Sequence, residues 1–239
     1  MTVQFRAAEV RAPEAEPGQP PILHPVSLAL TEQRIAVIGA NGSGKSTLLR
    51  LINGLLLPSS GSVSVDGADT ARQGSSVRRR VGFVFTDPLS QLVMPTGRDD
   101  VELSLRRGIR SRAERRSVAE QVLERFGLLH LADRSIYDLS GGERQLMALA
   151  AVLATDPGVL VADEPSTLLD LRNTARLRRI LAGLPQQVIF TTHDLDFAAD
   201  AQRVLVVDGG RVVADGPPAQ SIGAYRQLAT QDPAGQRTV

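Results

Sequence analysis

The chain has no cysteine among its 239 residues. Disulfides, thiolate nucleophiles and Cys-ligated zinc are therefore excluded, and a reducing compartment is the expectation. Charge of one sign is also lacking. Lys and Arg number 27 against 26 Asp and Glu, a net +1, so no global field argues for a nucleic-acid partner. Long apolar runs are missing as well: the longest, Leu146 to Ala154, falls far short of the ~18 residues a spanning helix needs. Met1 to Val10 shows no cationic stretch followed by an apolar one. No secretory signal is read there, and a cytoplasmic, soluble or peripheral protein is expected. An internal repeat is absent, and so is an Asn-Lys-x-Asp guanine reader, which argues against a GTPase switch. What remains is ordinary globular composition, 42% hydrophobic and 22% charged, in a chain long enough for one sizeable core.

The informative stretch is Gly39-Ala40-Asn41-Gly42-Ser43-Gly44-Lys45-Ser46. Arg34 to Ile38 before it is a β-rich apolar run, and Thr47 to Leu55 after it places apolar residues at helical spacing. Strand, glycine-rich turn and helix are the context that makes this spacing a phosphate loop. Glycines let backbone N–H groups turn inward around phosphate oxygens, and the helix N-terminus adds partial positive charge. Gly39, Asn41, Gly42, Ser43, Gly44, Lys45, Ser46 and Thr47 are thus the predicted cradle for a nucleoside triphosphate, ATP. Within it Lys45 reaches the β- and γ-phosphates and the Ser46 hydroxyl sits on Mg²⁺.

Around this stretch the pattern alternates between strand and helix, which predicts an α/β fold with a parallel-sheet core. Three alternating segments, Val3 to Val10, Val26 to Leu30 and Ser62 to Val65, predict an antiparallel sheet beside it. Residues 12 to 21 form a proline-rich turn. From Asp99 to about Ala154 the pattern is helical, with breaks near Gly108 and over Asp133 to Ser140. Arg106, Arg107, Arg110, Arg112, Arg115 and Arg116 in this insert read as a solvated face or as a contact for a partner or anionic headgroups. Val159 to Ala162 is a buried strand running into Asp163 and Glu164. A carboxylate at a strand's end can hold Mg²⁺ through water, the role predicted for Asp163, and Glu164 is the candidate general base.

Leu139-Ser140-Gly141-Gly142-Glu143 opens a helix, with Ser140 as N-cap and Glu143 completing a capping box. This stretch resembles the signature motif of the ATP-binding cassette family. The family's other landmarks follow in order: the phosphate loop, the strand ending in Asp163 and Glu164, Ser166 to Asp170 as the D-loop, and His193 as the switch histidine. The resemblance implies one cassette ATPase domain over residues 1 to 239, with core and β subdomain at about 1–86 and 156–239 and a helical subdomain at about 87–155. It implies a head-to-tail dimer, homomeric or heteromeric, in which Ser140, Gly141 and Gly142 of one subunit meet the γ-phosphate held by Lys45 of the other. His193 would contact that phosphate and the attacking water, and Asp170 would cross the interface.

A single cassette of this kind resembles the ATPase subunits of bacterial importers. Phe85 to Thr96 is similar to the same region of energy-coupling-factor ATPases, which implies uptake of a vitamin such as biotin or of a transition metal ion. The expected partners are a second cassette and integral membrane subunits, at the cytoplasmic face of the cell membrane, with no nucleic acid. Leu89, Leu92, Val93 and Met94 are expected to be either the membrane-partner contact or side chains packed inside the insert. The rival class is a soluble cassette ATPase of DNA repair or translation, whose second cassette or coiled-coil insert this chain lacks. Two positions depart from the family. Thr86 stands where a glutamine is usual, with Gln91 nearby taking part of that role or contacting a partner. Arg11 or Ala12 stands where an aromatic stacks on adenine.

Overall fold

The computed structural model describes residues 1–231, apart from 15 and 17. Parts of the expected proline-rich turn and of the polar tail lie outside these residues. The chain divides into two compact units, one formed by Met1–Val77 with the chain from Ile189 on, the other by Arg78–Val188.

In the first unit, β1 (Val3–Val10) pairs antiparallel with β2 (Leu23–Leu30) and β4 (Ser60–Val65), and β5 (Ala68–Asp69) completes the sheet. Alternation in β1 is interrupted, with Val3 and Phe5 buried on one side of the break and Ala8 and Val10 on the other. A bulge at Ala7, φ 45°, shifts the register by one and keeps all four facing the core. Asp66 and Gly67 both have positive φ and turn β4 into β5. A second sheet places β3 (Arg34–Ile38) parallel to β9 (Arg203–Asp208), which pairs antiparallel with β10 (Arg211–Gly216). On the other side of β3 is β8 (Gln187–Thr191), the strand along which the chain passes from one unit to the other. Ile35 to Ile38 are wholly buried, as a continuous apolar run in a parallel strand should be. The helices are α1 (Lys45–Ile52), the single-turn α7 (Leu195–Ala198) and α8 (Pro218–Gln231).

The second unit holds β6 (Val81–Val84) parallel to β7 (Val159–Ala162), with β8 next in the order. Helix α2 (Gly74–Arg80) leads into it, followed by α3 (Gly97–Leu105), α4 (Arg112–Arg125), α5 (Gly141–Leu153) and α6 (Leu171–Ala182). Side chains cap four of these helices: Thr96 bonds the Asp99 N–H, Ser111 that of Glu114, Ser140 that of Glu143 and Asp170 that of Asn173. Both predicted breaks in the helical stretch are present, the first at 106–111, the second at 126–140, where it starts earlier than the expected Asp133. Helices α2 and α7 and strand β5 have no counterpart in the sequence reading, because each is too short to show a period.

Candidate functional site

Strand β3 delivers the chain to Gly39, whose φ is 150° and whose absent Cβ would stand 2.0 Å from the Val207 carbonyl oxygen. No other residue fits there. Asn41 and Gly42 are exposed at the loop's tip, while Ser46 and Thr47 are half-buried in the first turn of α1. Gly44 caps that helix without a side-chain hydrogen bond. Lys45 is the only lysine in the chain. It is 7% exposed, and its Nζ donates to the Gly39 and Ala40 carbonyls at 3.0 Å each. An ammonium carries three donors, so closing the loop uses two and leaves one for an anion. The Ser43 hydroxyl is buried without a hydrogen-bond partner. A helix start without a side-chain cap, an orphaned hydroxyl and a buried cation converge on a small loop, and the chemistry that suits all three is a phosphate chain. His193, also in this unit, is exposed between β8 and α7.

In the second unit, β7 ends at Asp163, which is buried. Its N–H donates to the Val84 carbonyl at 2.9 Å, and its own carbonyl accepts the Thr86 hydroxyl at 3.0 Å. Glu164, half-buried, follows with φ 50°, a left-handed conformation that a residue with a Cβ adopts under constraint. The Thr167 hydroxyl donates to Glu164 Oε2 at 3.3 Å. The capping box is complete: Ser140 N–H donates to Glu143 Oε2 at 2.8 Å and Glu143 N–H to Ser140 Oγ at 3.3 Å. The Ser140 N–H holds the Glu143 carboxyl below the usual glutamate range. Gly142 lies so close to α6 that a Cβ would stand 2.8 Å from Asn173 Nδ2. Asn173 is in turn the residue whose N–H Asp170 caps, at 2.7 Å, so the D-loop and the signature pack as neighbours.

Other expected residues have partners the sequence does not disclose. Arg11 pairs with Glu9 at 2.7 Å and donates to the Gln19 carbonyl. Gln91 uses both ends of its amide inside the unit, accepting from Phe85 N–H and donating to the Ala148 carbonyl. The apolar contact surface needs correction at one position. Leu92 is 4% exposed: its N–H bonds the Pro88 carbonyl just beyond the 3-10 turn (Pro88–Ser90), which the Gln91 N–H closes, and its side chain lies in the core. Leu89 and Val93 stay exposed, at 39% and 69%. Sequence reasoning missed Arg98. Its guanidinium is buried in a bidentate pair with Asp133, at 2.7 and 2.8 Å, and also bonds Glu120. Nothing in the sequence separated it from the other arginines of the insert.

The profile of the family described as ABC transporter matches residues 23–167. The chain is 48% identical to the biotin transport ATP-binding protein BioM of Rhizobium etli, over 96% of this chain and 100% of BioM. Among solved structures it resembles the dimeric post-hydrolysis state of the ATP-binding cassette MJ0796 bound to ADP and Pi, with a TM-score of 0.82 and 29% identity over 90% of this chain and 98% of that one. It also resembles CbiO1 of Clostridium perfringens, part of the ABC transporter complex CbiONQ, with a TM-score of 0.80 and 28% identity over 98% of this chain and 95% of CbiO1. The parallel and antiparallel sheets, the phosphate loop and the capped signature helix agree with that kinship. The chain belongs to the ABC transporter family, as an ATP-binding subunit whose ATP hydrolysis is coupled to transport.

Proposed function

We propose that this chain is the ATPase of a biotin uptake system, working as a dimer of cassettes docked on an integral membrane partner at the cytoplasmic face. The carrying observation is the 48% identity with BioM, spread over nearly all of both chains. The likeness to CbiO1, a component of a multi-subunit transporter, supports the division of labour between ATPase and membrane subunits. The chain's own described residues contain no helix long and apolar enough to cross a membrane.

In this reading the loop N–H groups from Gly39 to Thr47 and the Lys45 ammonium bind the ATP phosphates. Ser46 and Asp163 would hold Mg²⁺, which when bound offsets charge on the β- and γ-phosphate oxygens. One hydroxyl and one carboxylate suit a cation that keeps most of its waters. Glu164 takes the proton of the attacking water, and His193 orients that water against the γ-phosphate. Ser140, Gly141 and Gly142 of a second subunit aim a capped helix start at the same phosphate, and Asp170 makes the reciprocal contact across the dimer.

The membrane partner is offered two features of the second unit: exposed Leu89 and Val93, and a cavity of about 680 Å³ lined by Arg78, Arg79 and Arg107 together with Leu105, Ile109, Val118 and Asp156. A lining with three arginines and several apolar side chains suits an amphipathic segment bearing acidic residues. The test is reconstitution in vesicles with the integral subunit that copurifies from membranes. ATP-dependent uptake of labelled biotin is the expected result. Uptake of cobalt or nickel without biotin would overturn the substrate and leave the transporter reading standing.

A further inference from the structure

The polar contacts around Phe85 and Thr86 have a use that packing does not explain. Asp163 is held on both sides by one short segment, its N–H by the Val84 carbonyl and its C=O by the Thr86 hydroxyl. That C=O belongs to the peptide joining Asp163 to Glu164. The next rotation along the chain is the φ of Glu164, which sits at 50°. A left-handed conformation at a residue with a Cβ persists only where its surroundings over-determine it. Thr86 is itself held in place: the Phe85 N–H donates to Gln91 Oε1 at 3.3 Å, and the Phe85 carbonyl accepts from Gln145 Nε2 at 3.4 Å. Gln91 Nε2 donates to the Ala148 carbonyl at 3.1 Å. Gln145 and Ala148 lie on α5, the helix that Ser140 opens. All of these contacts fall inside the second unit.

We propose that Thr86 is a positioning residue for Glu164. Its hydroxyl sets the tilt of the Asp163–Glu164 peptide and so aims the Glu164 carboxylate, while Gln91 and Gln145 tie that setting to the helix bearing the signature serine. The proposal rests on Glu164 as the base. Residue type matters here. A threonine oxygen stands one bond from Cβ and reaches a carbonyl beside its own strand, whereas a glutamine amide two carbons further out overshoots it.

The test uses the full chain and four variants: Thr86→Val, Thr86→Ser, Glu164→Gln, and Thr86→Val combined with Glu164→Gln. Thr86→Val, which keeps the shape and removes the hydroxyl, is expected to lower kcat by about 10- to 100-fold, the scale of a misaimed catalytic group, with ATP affinity and KM unchanged. Thr86→Ser restores most of the rate. Because Thr86 acts through Glu164, the double variant turns over no more slowly than Glu164→Gln alone. Wild-type kcat in Thr86→Val beside an inactive Glu164→Gln overturns the positioning role by itself, as do losses that multiply in the double variant. Wild-type turnover in Glu164→Gln overturns the base assignment on which the proposal stands. If valine prevents folding, Thr86→Ala takes its place in the same comparison.

Discussion

Lys45 makes the phosphate loop unusually easy to interrogate, since every other basic side chain of strong charge is arginine. An amine-directed acylating reagent has two targets in this chain, the Met1 amino group and Lys45. Bound ATP is expected to protect the second and not the first, read by mass spectrometry of the loop peptide; equal labelling with and without ATP would remove Lys45 from the site. Lys45→Ala is expected to weaken ATP binding by at least about tenfold, because a hydrogen bond to a charged group is worth about 1.5–3 kcal/mol and is lost with the ammonium. Calorimetry showing unchanged affinity would contradict it. Glu164→Gln separates binding from chemistry. Turnover should fall by about 10²–10⁴-fold, the usual worth of a general base, while ATP affinity holds and an ATP-bound dimer accumulates on gel filtration. At this scale the sequence disclosed what the residue types can do: a lysine after a glycine turn, two carboxylates after an apolar strand. It could not disclose the left-handed φ of Glu164 or the Thr86 bond to Asp163. Both depend on β6 and β7 lying side by side, a pairing between residues far apart in the chain.

Helix α5 shows how an element can carry a measurable pH signature. Its N-terminal box depends on an ionised Glu143, whose folded pKa lies below the ordinary glutamate value. A depressed carboxyl contributes stability above its unfolded pKa and loses it as pH falls through the lower, folded one. Glu143→Gln keeps an acceptor for the Ser140 N–H but does not titrate. The wild-type protein should therefore be more stable than Glu143→Gln in urea unfolding at neutral pH, by up to about 1 kcal/mol, with the gap closing below about pH 4. A gap that is constant with pH would deny the box any electrostatic part. The neighbouring elements are tied by Arg98, whose backbone N–H reaches the Ala132 carbonyl while its guanidinium grips Asp133 and Glu120. Lysine cannot reproduce that fork, so Arg98→Lys should cost about 1–3 kcal/mol in urea unfolding. The box was legible because its two residues lie three apart in sequence. Arg98 and Asp133 lie 35 apart and carry no local mark. The same contrast holds for secondary structure: the four-residue apolar run of β7 and the breaks around α4 were legible, while single-turn α7 was not.

At the scale of the working assembly, the question is where this ATPase meets its membrane partner. In the proposed docking it is the segment from Asp87 to Asp100, whose inward and outward residues have to be told apart, which the sequence could not do for Leu89, Leu92, Val93 and Met94. Its backbone is fixed from within. Asp87 caps the 3-10 turn by accepting the Leu89 N–H at 3.1 Å, and the Asp100 carboxylate takes the N–H groups of Val93 and Met94 at 3.1 and 3.2 Å. Burial pushes the Asp100 carboxyl above the usual aspartate range, and those two N–H groups oppose the shift. A segment this well anchored does not expose Leu89 and Val93 through looseness, which supports the proposal that they meet the partner. Val93→Asp, and Leu89→Asp beside it, should abolish copurification with the integral subunit and biotin uptake in vesicles, while the ATPase of the isolated chain is kept and its stability stays within about 0.5 kcal/mol of wild type, the usual range of exposed substitutions. Leu92→Asp should behave oppositely: an unpaired carboxylate in the core lowers stability by several kcal/mol, to the order of ~3–5, before docking is ever tested. Were Val93→Asp to copurify normally, the apolar tip would be dispensable. Charge reversals at Arg78, Arg79 and Arg107, around the basic cavity, would then be the variants expected to break the complex.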